Sequence, residues 1–131
     1  MKKSKVFSVL FTILLMLAIP LHGLAATSFT DVNEGFWAEK EINNFVDLGI
    51  IKGYPDKTFR PDNTVTRGQA AIMIARGLKL DVSDVGSVHY KDIKDASIKE
   101  IAAVTKAGIM KGNNGKFEPN KPLTRAQMAT I

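Results

Sequence analysis

The chain has 131 residues, contains no cysteine and carries a formal net charge of +5 at pH 7. The lack of cysteine excludes a disulfide framework and a cysteine-borne lipid anchor. Charges of both signs are interspersed without a basic run, which argues against binding nucleic acid through bulk electrostatics.

The N-terminus has the layout of a secretory signal peptide, which we predict to span residues 1–26. Three lysines precede a mostly apolar segment over 6–19, and the small residues at 23–26 supply a cleavage site. The alternative is an uncleaved membrane anchor, but the apolar segment is shorter than the about 20 residues of a spanning helix. We therefore expect no stable membrane span after cleavage. Losing three lysines leaves 15 basic residues against 13 acidic ones, a net charge of only +2.

The remainder of the chain is a tandem repeat. The segment Phe29–Val32 opens the first copy with an aromatic-x-Asp-aliphatic pattern, and Tyr90–Ile93 opens the second copy 61 residues later. A Thr-Arg pair near the end of each copy recurs after only 58 residues, so the second copy is shorter. We predict repeat 1 over 27–80, a linker over 81–89, and a truncated repeat 2 over 90–131.

Each repeat is predicted to form a helix, a turn-rich loop and a second helix. Apolar residues at helical spacing predict amphipathic helices within 37–51 and 97–109. Two prolines with Asp and Asn residues favour turns over 54–63, where Phe59 is expected to pin the loop to the core. The predicted fold is therefore all-α.

The second helix of each repeat begins with a capping box, Thr66–Gln69 and Thr124–Gln127, in which threonine and glutamine satisfy each other's backbone N–H groups. Each box places an arginine, Arg67 or Arg125, directly after the threonine. Free N–H groups and the helix dipole favour an anion there, and a guanidinium adds a fork suited to carboxylate or phosphate. Alternatively, each arginine pairs with an internal Asp or Glu. The sequence leaves both interpretations open.

The sequence predicts no catalytic residue, cofactor or metal. The exported part has a single histidine, His89, and no cysteine, which excludes a histidine-activated cysteine and a typical zinc cluster. Asp56 and Asp62 could form an acid–base pair, but a role in turns explains them more simply. A calcium loop starting at Asp56 would place Arg60 at its fifth position and Pro61 where an EF-hand needs glycine.

Trp37 is the single tryptophan of the chain and lies at the start of the first predicted helix. Its ring could pack in the core, or it could form a platform on which the apolar face of a pyranose stacks. Both interpretations remain open from the sequence.

Together these motifs resemble the S-layer homology motif. The residues that carry the resemblance are the F-x-D-V start, the run W-A-x-x-x-I-x-x-F-x-x-x-G-I-I-x-G-Y-P-D-x-T-F-R-P-D and the T-R-G-Q helix start. The second copy departs more, with Ala96 at the place of Trp37 and Glu118 at that of Arg60. Both copies also have Gln where the family usually has Glu.

The resemblance implies a helical bundle of three motifs with pseudo-threefold symmetry, of which this chain has one complete motif and one shortened motif. It also implies binding of a secondary cell-wall polysaccharide, often pyruvylated, in Gram-positive bacteria. The arginine of the Thr-Arg pair is the family's ligand contact. We therefore predict these glycan-binding residues: Trp37, Thr66, Arg67, Gln69, Thr124 and Arg125.

The predicted function is non-covalent anchoring of an exported protein to the bacterial cell wall or S-layer. One alternative is an assembly module that completes its bundle with another copy or another chain of the family. A second alternative is the N-terminal fragment of a larger S-layer-associated protein or surface enzyme. No enzymatic activity is expected within these residues.

Overall fold

The computed structural model describes residues 29–83, 88, 90–93 and 98–131. This part of the chain forms four helices and no strand, which confirms the predicted all-α class: α1 (Glu39–Asp47), α2 (Arg67–Gly77), α3 (Ile98–Lys106) and α4 (Arg125–Ala129). None of these helices has the length and apolarity needed to cross a membrane. The predicted signal peptide, His89 and Ala96 lie outside the described residues.

The first helix of each repeat is shorter than its periodicity predicted. In repeat 1 the chain leaves the helix after Asp47, and Gly49 adopts a φ of +69°. Gly108 has a φ of +74° just after α3. Glycine takes this left-handed conformation without the steric cost that a side chain would bring. Each glycine therefore turns the chain towards the loop of its own repeat.

The opening aspartate of each repeat holds the loop of that repeat. Asp31 accepts hydrogen bonds from the N–H groups of Phe59 (2.8 Å) and Arg60 (2.7 Å). Asp92 accepts the matching pair from residues 117 and 118, at 2.9 and 2.7 Å. The Phe59 N–H above all keeps the pKa of Asp31 below its usual range. Burial alone would raise the pKa of Asp92, but its two N–H donors outweigh burial and lower it.

The larger hydrophobic core lies between the repeats, because α2 of repeat 1 packs against α3 of repeat 2. Its buried residues are Ala71, Ala75, Ile93, Ile101, Val104, Met110 and Phe117. The small alanines of α2 allow the two helices to approach closely. A smaller cluster inside repeat 1 contains Phe29, Val32 and Ile42, and Phe59 packs against it as predicted. The sequence boundary between the repeats is therefore not a boundary in packing.

Candidate functional site

Both predicted capping boxes are present. The Gln69 N–H donates to Thr66 Oγ1 (3.2 Å), and the Thr66 N–H donates to Gln69 Oε1 (2.9 Å). Thr124 and Gln127 make the same two bonds, at 3.2 and 3.0 Å. Each box therefore fixes the first turn of its helix and places an arginine at the first helical position.

The backbone N–H groups at the start of α2 are not free for an anion. The Arg67 N–H donates to the carbonyl of Lys121 (2.9 Å), and the Gly68 N–H donates to that of Pro119 (2.8 Å). Repeat 2 thus supplies the acceptors that an isolated helix would lack. The expectation of free N–H donors at this helix start was wrong for repeat 1. The reason is that carbonyl groups in the loop of repeat 2 already accept these N–H groups.

The guanidinium of Arg67 also bonds to repeat 2. Its Nε donates to the Phe117 carbonyl and its Nη2 to the Lys111 carbonyl, both at 3.1 Å. The guanidinium carbon lies 5.0 Å from the centroid of the Phe117 ring. The internal partners are thus carbonyls and a ring rather than the Asp or Glu considered from the sequence. Within the described residues, Nη1 of this half-buried side chain makes no hydrogen bond.

Arg125 differs from Arg67 in its surroundings although its helix start has the same pattern. Its side chain is exposed, and the described part of the chain shows no hydrogen bond or ion pair to it. The N–H groups of Arg125 and Ala126 likewise have no recorded acceptor among these residues. The two helix starts share one sequence pattern but differ in their surroundings. The start of α2 is docked on repeat 2, whereas the start of α4 makes no such contact among the described residues.

A cavity of about 370 Å³ lies between α2 and the loop of repeat 1. We call it the repeat 1 groove. Gln69 lies in its wall and donates through Nε2 to the Tyr54 hydroxyl (3.1 Å). The residues that line the groove include Ile51, Lys52, Tyr54, Phe59, Pro61, Val65, Gln69 and Met73. The lining is mostly apolar.

At the rim of this groove, Arg60 and Asp56 form a local ion pair. The Arg60 guanidinium lies 3.9 Å from the centroid of the Tyr54 ring and donates to Asp56 Oδ2 at 2.8 Å. Hydrogen bonds from the Thr58 hydroxyl, and then from Arg60, lower the pKa of Asp56 to about 2. Asp56 is therefore a turn residue that stays ionised, as the simpler interpretation of the sequence held.

Trp37 is exposed, with 86% of its surface accessible. Its only recorded ring neighbour among the described residues is Phe36, at a centroid distance of 5.8 Å. The interpretation of Trp37 as a core residue was therefore wrong, because the ring lies outside the cluster around Ile42. No recorded contact in the described part joins Trp37 to Arg67 or Arg125. The structure brings Thr66, Arg67 and Gln69 together and leaves Trp37 apart.

Sequence reasoning missed the residues that position Arg67. These are Phe117 and Lys111, through their carbonyl oxygens, and Asp92, which holds the loop that carries Phe117. A signal for the aspartate was available, because both repeats open with an aromatic residue followed two positions later by Asp. The carbonyl partners left no signal, since any residue type supplies a backbone oxygen.

Comparison with known proteins gives a consistent picture. The family model for the S-layer homology domain matches residues 28–71 and 89–129. S-layer protein EA1 of Bacillus anthracis is 41% identical over 109 residues, which covers 82% of this chain and 13% of that protein. An endoglucanase of a Bacillus species is 34% identical over 138 residues, covering 99% of this chain and 15% of the relative.

A cellulosome-anchoring protein of Acetivibrio thermocellus is 38% identical over 88 residues, which covers 63% of this chain and 20% of that protein. The chain therefore spans a fifth or less of the length of these relatives. The alignments compare this chain with one part of each relative, and the names describe whole proteins.

Proposed function

Because this chain belongs to the S-layer homology domain family, we propose that it attaches an exported protein non-covalently to the bacterial cell surface by binding an acidic wall polysaccharide. Relatives named as S-layer proteins and as a cellulosome-anchoring protein support a location at the cell surface. An endoglucanase aligns with the same stretch. Proteins of such different names share surface attachment more readily than a reaction, so we assign no catalysis to these residues.

The observation that carries the glycan proposal is the fixed guanidinium of Arg67. Its Nε and Nη2 bond to two carbonyls of repeat 2, so the side chain loses little further rotamer freedom when a ligand arrives. The Nη1 edge then offers N–H donors to a carboxylate oxygen, such as that of a pyruvylated sugar. Charge-assisted hydrogen bonds of this kind are stronger than those between neutral groups.

The neighbouring residues suit an anionic ligand. Gln69 stands where the family usually has Glu, and its side-chain oxygen accepts the Thr66 N–H of the capping box without adding a negative charge. A ligand carboxylate near Arg67 therefore meets no charge repulsion from this position. We assign Thr66, Thr124 and Gln69 to positioning the arginines, and Arg125 to a second, weaker contact because nothing in the described chain orients it.

Trp37 is proposed as a separate contact with the same polymer. Its ring is exposed and braced on one side by Phe36, which leaves a face free for a pyranose. A polysaccharide is long enough to reach sites that are not adjacent. The exposed ring and the arginine would then bind different sugars of one chain.

Arg67→Ala should weaken co-sedimentation of the folded protein with purified cell walls by at least about tenfold, the effect of losing a charge-assisted contact. The matched control is Arg76→Ala. Arg76 lies on the same helix, and its ion pair with Glu100 (3.3 Å) also joins the two repeats. Both variants remove one positive charge and one link between repeats, but only Arg67 is proposed to touch the glycan.

Circular dichroism at the assay temperature first establishes that both variants are folded. Binding that is reduced equally in the two variants would show that Arg67 acts only through stability. Wall binding of Arg67→Ala at the wild-type level would remove Arg67 from the site altogether.

A further inference from the structure

One of the two carbonyls that hold the Arg67 guanidinium belongs to a peptide group that is bound on both sides. Arg67 Nη2 donates to the Lys111 carbonyl (3.1 Å), and the N–H of the same peptide group, at Gly112, donates to the Tyr90 hydroxyl (3.0 Å). Because a peptide group is planar, the Tyr90 hydroxyl fixes the direction in which this carbonyl points. Its hydrogen bond also makes the carbonyl a stronger acceptor, since hydrogen bonds in a chain polarise one another.

The Tyr90 hydroxyl is in turn anchored on helix α3. Its oxygen lies 3.2 Å from Thr105 Oγ1, and the Thr105 hydroxyl donates to the Ile101 carbonyl (2.8 Å). Thr105 has one hydroxyl proton and gives it to Ile101, so Tyr90 is the donor in its bond to Thr105. The hydrogen bonds therefore run in one direction, from the Arg67 guanidinium to the backbone of α3 at Ile101, a buried core residue.

Repeat 1 has neither of these two hydroxyls. Phe29 stands at the place of Tyr90, and Val46 stands at the place of Thr105. In both repeats the aromatic ring nevertheless packs on a glycine of the loop so closely that no Cβ would fit there. The ring is therefore what the packing of a repeat requires. The pair of hydroxyls is an addition in the repeat that binds the guanidinium.

We propose that Tyr90 and Thr105 are positioning residues for the glycan contact of Arg67, which their hydroxyls orient through the Lys111 carbonyl. This inference rests on the proposed function, because it takes Arg67 as the residue that meets the carboxylate. Without the Tyr90 hydroxyl the Lys111 peptide group can tilt, and the guanidinium keeps one fixed acceptor, the Phe117 carbonyl, instead of two. A guanidinium that moves more freely loses more freedom when it binds a ligand, so its affinity falls.

Tyr90→Phe removes the hydroxyl and keeps the ring, which makes this position the same as in repeat 1. NMR of the arginine side-chain N–H groups then reports on Arg67 directly. The Arg67 Nη2 hydrogens should exchange with water about three- to tenfold faster than in the wild type, the factor expected for one weakened hydrogen bond. The Arg67 Nε–H, which lies on the Phe117 carbonyl, should keep its exchange rate. A general loss of stability would accelerate both.

The same variant should weaken co-sedimentation with purified cell walls by about three- to tenfold. Thr105→Val, which also installs the residue of repeat 1, should weaken it in the same direction and by a smaller factor. Thr30→Val is the matched control, because it removes a threonine hydroxyl that bonds to a loop carbonyl of repeat 1, that of Lys57 (3.5 Å). Thr30→Val should bind walls like the wild type.

The decisive comparison adds Tyr90→Phe to Arg67→Ala. In that background Tyr90→Phe should cause no further loss of wall binding, because the side chain that Tyr90 positions is absent. A further loss by the same factor as in the wild type overturns the proposal, and so does an unchanged exchange rate of the Arg67 Nη2 hydrogens. Wild-type wall binding by Tyr90→Phe beside weakened binding by Arg67→Ala also overturns it.

Failure of the proposed function gives a different result. Arg67→Ala would then bind walls like the wild type, which overturns the glycan contact itself. The exchange rates of the Arg67 side chain are measured without cell walls, so they show separately whether Tyr90 orients the guanidinium.

Discussion

Phe117→Ala should lower the free energy of unfolding by about 3–5 kcal/mol, the usual cost of truncating a buried phenylalanine. The ring is fully buried, packs against Tyr90 at a centroid distance of 5.4 Å, and lies beneath the Arg67 guanidinium. Its removal leaves a cavity at the junction between the repeats. The shift of the urea midpoint, measured by circular dichroism, gives the change in stability.

Phe59→Ala is the matched control for this prediction, because Phe59 is the same residue of repeat 1. Its ring is half-buried and packs on Phe29 at 5.4 Å, with one side in the repeat 1 groove. The cost of Phe59→Ala should therefore be clearly smaller than that of Phe117→Ala. Equal losses of stability at the two positions would contradict the difference in burial between the two rings.

Arg67→Ala should lower the free energy of unfolding by about 2 kcal/mol, because it leaves two carbonyls without their charged donor. Those carbonyls belong to repeat 2, so the change weakens the link between the repeats. If the repeats begin to unfold separately, the slope of the unfolding free energy against urea concentration should decrease, and the urea midpoint should fall as well. Both quantities come from the same urea titration.

Arg125→Ala is the control for Arg67→Ala, since it removes the same side chain from an identical motif. The exposed Arg125 has no recorded partner in the described chain, so its loss should change stability by less than about 0.5 kcal/mol. Arg67→Lys should recover only part of the wild-type stability, because an ammonium cannot reproduce the planar fork. Equal losses in the free energy of unfolding for Arg67→Ala and Arg125→Ala would contradict the docking of α2 on repeat 2.

The local features of the fold could be predicted from the sequence. Helical periodicity placed α1 and α3, and the Thr-x-x-Gln pattern located the starts of α2 and α4. Such signals depend on residues within one or two turns of each other. The helix ends just before Gly49 and Gly108 also follow from local conformational preference, because glycine tolerates the left-handed conformation found there.

The contacts between the repeats could not be predicted. Arg67 bonds to Phe117 and Lys111, which lie 50 and 44 positions away along the chain. Backbone carbonyls are present at every residue, so no residue type marks them as partners. The exposure of Trp37 is also a tertiary property, because the same apolar side chain suits a core or a surface equally well in sequence. Predicting the exposure and the hydrogen-bond partners of a site residue therefore required knowing which repeat lies next to it.

Co-sedimentation with walls of defined chemistry tests the central claim most directly. Wild-type protein is mixed with native walls and with the same walls after removal of the acidic substituents of their polysaccharide. The account predicts strong binding to native walls and at least about a tenfold loss on the treated walls, since the carboxylate that meets Arg67 is gone. Undiminished binding to the treated walls would contradict recognition of an acidic glycan.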